Sequence, residues 1–131
     1  MTTTAASGSE HPPGGEQIFV EFCDCKPETL RNQDRLIAIC RAVAERLLTT
    51  VLETKVSRFG EEIVIHMIIA ESHIIFRTHP QFKTAKLDVF TCGELSPDIV
   101  LPDVRQALSA RSYLCEFVTR GKRQEESNES E

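Results

Sequence analysis

The sequence EIVIHMIIAESHIIFRTHP, residues 62–80, carries the clearest signal of the fold. Residues 62–70 are almost continuously apolar, which is typical of a strand with neighbours on both sides and predicts a central strand. A second apolar strand is predicted at residues 73–78, and it stops at Pro80 because proline cannot donate a backbone hydrogen bond to a sheet. This sequence therefore predicts two strands with a short turn at Glu71 and Ser72 between them.

On either side of these strands, the period of the apolar residues changes several times. Alternation predicts further strands at residues 17–23, 50–59, 86–91 and 112–119. An apolar stripe at helical spacing predicts one helix from Pro27 to about Leu48, and Ser96 starts a second helix that runs to about Ala110. Strands clustered between two helices predict an α+β two-layer sandwich, a mostly antiparallel sheet with two helices on one face.

The composition fits one folded domain, which we predict at residues 16–120. Residues 1–15 and 121–131 are poor in large apolar side chains and are predicted to be disordered tails, the second of them acidic. The formal charge of −5 and the lack of a Lys/Arg cluster argue against nucleic-acid binding. No apolar run has the length of a membrane span and no targeting peptide is visible, so we expect no membrane association and a cytoplasmic location.

The chain has five cysteines, and this odd number favours a reducing compartment. No pair has the spacing of a zinc site, so we expect no metal. Cys23 and Cys25 alternate at the end of a predicted strand, which places both on one face as small buried side chains.

Two short motifs point to chemistry. Glu71-Ser72-His73 occupies the predicted turn, and Cys92 follows in Asp88-Val89-Phe90-Thr91-Cys92-Gly93. Taken alone, Ser72 is a turn residue and Cys92 is a buried thiol at a strand end. Together, on a chain this short, they resemble the small prokaryotic-type S-adenosylmethionine decarboxylases. The resemblance covers about residues 17–121 and implies the same two-layer fold.

The resemblance implies that the chain cuts itself between Glu71 and Ser72. The serine hydroxyl attacks the Glu71 carbonyl, an ester replaces the amide, and elimination followed by hydrolysis converts Ser72 into a pyruvoyl group. The pyruvoyl ketone then forms a Schiff base with a small-molecule substrate and accepts the electron pair when CO₂ leaves, as pyridoxal phosphate does elsewhere. No pyridoxal phosphate and no metal are implied, and we expect a homodimer of cleaved protomers.

The resemblance also implies roles for two further side chains. Cys92 is implied as the proton donor to the substrate carbon after decarboxylation, and an ordinary thiol with a pKa of ~8.5 holds its proton at neutral pH. Phe59 matches a phenylalanine that stacks on the adenine of the substrate. A core aromatic at the end of a strand explains Phe59 equally well.

After the cleavage site the chain departs from the family pattern. Relatives read Ser-His-x-x-x-His-Thr-x-Pro-Glu, whereas here Arg77 stands at the position of the processing histidine. Arginine stays charged at any useful pH, so it cannot be a general base. Gln81 stands at the position of a glutamate that binds the substrate ribose, and an amide binds a diol less strongly than a carboxylate. Val64 replaces an upstream serine that assists processing.

Three histidines are candidates for the missing base. Alternation places His66 on the face of Val64 and His79 on the face of Arg77, each ~7 Å along its strand from the vacant position. His73 follows the cleaved serine directly. The alternative is that these are ordinary strand histidines without a role in processing.

The sequence therefore predicts a self-processing, pyruvoyl-dependent decarboxylase of polyamine biosynthesis that acts on S-adenosylmethionine. One alternative keeps the mechanism but takes ornithine or arginine, with Asp88 or Glu94 binding the distal cation. It is motivated by the missing ribose-binding carboxylate. The other alternative is an unprocessed paralogue that regulates an active partner, and it is motivated by the replacement of both processing residues.

Overall fold

The computed structural model describes residues 14–121, in which six strands form one antiparallel sheet. The strands are β1 Gly15–Cys23, β2 Val51–Phe59, β3 Glu62–Ile69, β4 Ser72–His79, β5 Thr84–Thr91 and β6 Ser112–Arg120. Their order across the sheet is β2-β3-β4-β5-β1-β6. The predicted tails lie outside the described residues except at their inner ends, where Gly15 already belongs to β1.

The helices are α1 Pro27–Leu30, α2 Gln33–Arg46 and α3 Leu101–Leu108, with 3₁₀ turns at Pro80–Phe82 and Pro97–Val100. None of the helices between residues 14 and 121 is long and apolar enough to cross a membrane.

Alternation along the strands determines which face of the sheet is buried. In β1, Ile18 and Val20 are buried whereas Phe19, between them, is exposed. The buried face packs against α2 and α3, and burial of this apolar surface is the main stabilising term. We call the opposite side the open face, since no helix of the described chain packs on it. The architecture is the predicted α+β two-layer sandwich.

Three predicted details are wrong. The helix predicted from Pro27 to Leu48 is two helices, because Asn32 is extended (φ −97°, ψ 97°) and its side chain accepts a hydrogen bond from the Arg35 amide at 3.1 Å, which caps α2. The second predicted helix starts as a 3₁₀ turn and ends at Leu108, because Ser109 is left-handed. Third, β3 was predicted to be the central strand, but it is second from the edge of the sheet. The centre is formed by β4 and β5.

The two cysteines at the end of β1 do not share one environment. Asp24 has a positive φ of 56°, so the alternation of the strand ends at Cys23. Cys25 is buried, whereas Cys23 is only partly covered. Both remain small packing side chains, but the prediction that one strand face holds both is wrong.

Thr78 links the sheet to the first helix. Its hydroxyl donates to the Leu30 carbonyl oxygen at 3.0 Å and accepts from the Ile63 amide at 3.3 Å. The side chain is fully buried, so both hydrogen bonds form away from water. This link holds the start of β3 and the end of β4 against α1.

Candidate active site

Ser72 is the first residue of β4 and follows the turn at Ala70 and Glu71. Its hydroxyl donates a hydrogen bond to the Glu71 carbonyl oxygen at 2.5 Å. Glu71 is exposed and Ser72 is partly buried. The hydroxyl therefore lies beside the carbonyl group that it would have to attack in a self-cleavage reaction.

Cys92 lies just beyond the end of β5, the strand next to β4. Its sulfur is 3.9 Å from the Glu71 carbonyl oxygen, which is a long contact for a thiol donor. The thiol is exposed and is thus not the buried packing group of the alternative interpretation. The structure brings Ser72 and Cys92 together because their strands are neighbours, with His73 opposite Phe90 in the register.

A cleft of about 320 Å³ opens beside these two groups. It is lined by residues 47–49 after α2, by residues 70 and 71 at the turn, and by residues 91–95 after β5. Its volume is at the lower end of the range for small-molecule sites. Glu94 is exposed and lies on the wall of the cleft, where its carboxylate faces solvent.

His73 is held by a polar chain on the open face. Its Nε2 is 3.3 Å from Oδ1 of Asp88, and its ring packs at a tilt against Phe90 with 5.9 Å between centroids. The same Asp88 oxygen accepts a hydrogen bond from the Gln17 amide at 2.9 Å, and Gln17 in turn accepts from Arg120 at 3.0 Å. Asp88 is therefore already engaged by two partners.

Four other side chains meet at the far end of the same face, and we call them the Glu62 cluster: Phe59, Glu62, Arg77 and His79. Oε1 of Glu62 accepts from Arg77 at 2.8 Å, and Oε2 is 2.9 Å from Nδ1 of His79. These hydrogen bonds, from Arg77 first and His79 second, lower the pKa of the Glu62 carboxyl. The Arg77 guanidinium lies 5.8 Å from the centre of the Phe59 ring.

Of the remaining predicted residues, all but His66 lie at or near this cluster. Val64 is directly opposite Arg77 in the β3–β4 register. His66 is exposed and pairs with Ile75, between the two ends of the sheet. Gln81 is exposed in the 3₁₀ turn after β4. Phe59 is 59% exposed, so it is not the core aromatic of the alternative interpretation.

The two groups of predicted residues do not meet within one chain. Ser72 and His79 are the first and last residues of β4, an extended strand of eight residues. At ~3.3 Å per residue, their Cα atoms are ~23 Å apart. Ser72 and Cys92 therefore lie at one end of the sheet, and the Glu62 cluster lies at the other.

Sequence reasoning did not single out Glu62. Its importance depends on pairing with β4, because the register brings the start of β3 beside the end of that strand. The available signal was its position, two residues before Val64 and four before His66, on the same strand face. No prediction of strand register was made that would have used it.

The two buried thiols, those of Cys25 and Cys40, are poor candidates for reactive groups. Burial raises the pKa of Cys25 to about 11, with smaller effects from Cys23 and Asp24, and burial raises that of Cys40 to about 12. Both are therefore protonated packing groups at neutral pH. Across residues 14–121, no three His, Cys, Asp or Glu side chains are grouped so as to hold a metal ion.

Comparison with known proteins gives consistent matches. The sequence model of the protein family described as S-adenosylmethionine decarboxylase matches residues 16–121. The S-adenosylmethionine decarboxylase proenzyme of Saccharolobus islandicus strain L.S.2.15 is 32% identical over 100 residues, which cover 76% of this chain and 82% of that protein. The proenzyme of Sulfolobus acidocaldarius shows the same identity and coverage.

A solved structure has a similar fold. The crystal structure of the adenosylmethionine decarboxylase from Aquifex aeolicus VF5 matches with a TM-score of 0.74. The match covers 85% of this chain and 93% of that one, at 18% sequence identity. At this identity the likeness concerns the fold alone.

Proposed function

The chain belongs to the S-adenosylmethionine decarboxylase family, and from this premise we propose that it cleaves itself between Glu71 and Ser72 and then decarboxylates S-adenosylmethionine. The observation that carries the proposal is the Ser72 hydroxyl at 2.5 Å from the Glu71 carbonyl oxygen, with the Cys92 thiol on the same oxygen. The Ser72 hydroxyl would be the nucleophile of self-cleavage and the Glu71 carbonyl group its acceptor. The Cys92 thiol would be the acid of the decarboxylation.

Self-cleavage uses the residues of the turn. The Ser72 oxygen attacks the Glu71 carbonyl carbon, and the acyl group moves from nitrogen to oxygen as the amide bond breaks. A base then removes the Cα proton of Ser72, and Glu71 leaves as a carboxylate. Addition of water to the remaining unsaturated residue releases ammonia and leaves a pyruvoyl end on residues 72–131.

The pyruvoyl group supplies the sink for the electron pair that decarboxylation leaves behind. Cys92 would return a proton to the substrate carbon, and the support is its sulfur, which lies 3.9 Å from the carbonyl oxygen of Glu71, the residue before the one that is converted. The cleft beside Glu71 and Cys92 provides room for the substrate. Exclusion of water from such a cleft protects the carbanion from protonation at the wrong stage.

We also propose that the active unit is a homodimer. The candidate residues occupy opposite ends of the sheet, and its open face exposes apolar side chains, namely Phe19 (40% exposed), Ile68 (46%) and Leu114 (68%). Exposed apolar surface of this kind is typical of interaction sites. Two open faces related by a two-fold axis that runs across the strands would bring Ser72 of each chain to the Glu62 cluster of the other.

A basic amino acid is the second candidate substrate. It needs a carboxylate for its distal cation, and the two predicted carboxylates are placed differently. Asp88 is held by Gln17 and His73, whereas Glu94 is exposed on the wall of the cleft. Glu94 is thus the side chain that would bind ornithine or arginine.

The test is the intact mass of the purified protein, followed by CO₂ release from S-adenosylmethionine, ornithine and arginine in parallel. We expect two chains, residues 1–71 and residues 72–131 with a pyruvoyl end. Ser72→Ala should stay full-length, and Ser112→Ala, which removes an exposed hydroxyl from β6, should be cut normally. Wild-type protein that stays full-length after long incubation would support the regulatory paralogue instead. Turnover of ornithine or arginine alone would replace the substrate but keep the mechanism.

A further inference from the structure

The elimination step of self-cleavage requires a base at the Cα proton of Ser72, and Arg77 cannot act as one. Two histidines have a carboxylate partner. His73 is adjacent to Ser72 but is bound to Asp88 through Nε2, which leaves only Nδ1, the nitrogen nearer its own backbone. His79 is bound through Nδ1 and leaves Nε2, the outer nitrogen, for another partner.

Glu62 determines which nitrogen of His79 carries the proton. Its lowered pKa keeps Glu62 ionised at neutral pH, and an ionised carboxylate only accepts hydrogen bonds. Nδ1 of His79 must therefore be the donor across the 2.9 Å contact, and the lone pair of the neutral ring lies on Nε2. This is the tautomer that a general base needs.

The Nε2 atom has no hydrogen-bond partner within the described chain, although it is enclosed. Enclosed polar atoms without a partner are rare, because each one has lost its hydrogen bonds to water without replacement, and they often mark functional groups. The His79 ring is nevertheless at the surface of the open face, with 15% of its side chain exposed. A second chain docking on this face would displace the neighbouring side chains that cover the nitrogen.

Arg77 contributes to the same arrangement from the other side. It binds the second oxygen of Glu62 at 2.8 Å and lies against the Phe59 ring. The carboxylate is thereby held at both oxygens, which restricts the orientation of His79. Arg77 thus occupies the position of the usual histidine and also holds the carboxylate that orients a different one.

We propose that Glu62 is the positioning residue that makes His79 the base of self-cleavage, in place of the histidine that Arg77 replaces. The inference rests on the proposed function and on the paired open faces. Nε2 of His79 in one chain takes the Cα proton of Ser72 in the other. The C–H electron pair forms the Cα–Cβ double bond, the Cβ–Oγ bond breaks, and Glu71 leaves with that oxygen as its carboxylate. Glu62 stabilises the imidazolium, which then returns its proton to water.

The first experiment follows cleavage of freshly made protein by intact mass. His79→Asn should slow cleavage by ~10²-fold or more, the usual scale for a positioned base, and Glu62→Gln should slow it by ~10-fold or more. The matched control is Glu61→Gln, which removes the neighbouring exposed carboxylate bound to Arg31. This control should cleave at the wild-type rate.

Treatment with hydroxylamine shows which step of self-cleavage is blocked in the slow variants. If elimination fails after the acyl shift, the slow variants hold an ester, and hydroxylamine cuts it to give residues 72–131 with an unmodified serine at the N-terminus. A merely unfolded variant would neither form the ester nor keep the wild-type melting temperature. Cleavage of His79→Asn and Glu62→Gln at the wild-type rate, in a wild type that does cleave, would overturn this inference and leave the proposed function intact. A wild type that never cleaves would instead remove the proposed function.

The second experiment tests action between chains. Ser72→Ala cannot be cut but retains Glu62 and His79, whereas His79→Asn retains Ser72. Mixed dimers of these differently tagged variants, confirmed by native mass spectrometry, should cut the His79→Asn chain at a rate within a few-fold of wild type. Mixed dimers in which that chain stays whole would overturn the proposal. Loss of cleavage in His73→Asn with normal cleavage in His79→Asn would assign the base to His73.

Discussion

The position of Cys92 favours a role in turnover of the substrate and not in self-cleavage. Its sulfur lies 3.9 Å from the Glu71 carbonyl oxygen, a contact too long to stabilise charge strongly. As the proton donor, however, it would act in every turnover. We therefore expect Cys92→Ala to cut itself normally and to lose ~10²-fold or more in kcat, measured by CO₂ release. Cys115→Ala, which removes another exposed thiol, is the control. Near-normal turnover in Cys92→Ala would return Cys92 to a structural role.

Gln81 is the second residue for which a single substitution gives a separate prediction. It is exposed in the turn after β4, at the position where the family resemblance implies a ribose-binding glutamate. A neutral hydrogen bond is weaker than a charge-assisted one by ~1 kcal/mol, so Gln81→Glu should lower the KM for S-adenosylmethionine about fivefold with little change in kcat. Gln106→Glu adds the same charge on the exposed side of α3 and should leave KM unchanged. An unchanged KM in Gln81→Glu would mean that this turn does not reach the ribose.

Among single residues, the sequence predicted those that lie in a short sequence motif. Ser72 and Cys92 stand in short motifs, and the sequence places one at a turn and the other at the end of a strand. Glu62 has no motif, because its partners Arg77 and His79 are on another strand and meet it only through the register. A contact of that kind depends on the turn between β3 and β4, which alternation by itself does not specify.

Among the elements, strands were predicted better than helices. Burial alternates clearly in β1, β4 and β5, because one face of each packs against the helices. The helix prediction ran through Asn32, since the apolar stripe continues on both sides of it. The helix breaks at Asn32 because the Asn32 side chain caps the next helix, a local hydrogen bond that competes with continued helix.

The link made by Thr78 gives a prediction at the scale of elements. Thr78→Val keeps the shape of the side chain but leaves the Leu30 carbonyl and the Ile63 amide without their buried partner. We expect a loss of ~1–3 kcal/mol in the free energy of unfolding, measured by urea denaturation. The measurement belongs in the Ser72→Ala background, which remains one chain. Thr119→Val, at an exposed site on β6, should change stability little. A neutral Thr78→Val would mean that α1 is held without this link.

At the scale of the whole molecule, the strand order shows how the two cleavage products would stay together, which no sequence motif contains. Cleavage would place β1, β2 and β3 on one product and β4, β5 and β6 on the other. In the sheet β1 lies between β5 and β6, and β3 pairs with β4, so the two products would share three ladders and one core. Ser72 and His79 lie at the two ends of β4, ~23 Å apart. The residues of one family motif are thus separated along one extended strand, and the proposed dimer would make them two half-sites, each completed by the other chain.

The last prediction tests whether the two half-sites are joined by a second copy of the chain. Phe19 is 40% exposed near the middle of the open face and is not part of either half-site. Phe19→Glu should weaken a dimer through this face, because it removes an apolar contact and places a carboxylate beside Asp88 and Glu116, in a pocket where Lys86 is the one cation among the described residues. We expect a monomer by light scattering and a loss of self-cleavage of ~10-fold or more, the loss expected when a positioned base is withdrawn. Ala38→Glu puts the same charge on the exposed side of α2 and should change neither property. A monomeric Phe19→Glu that still cuts itself at the wild-type rate would show that one chain holds all the groups required, and the paired half-sites would then be wrong.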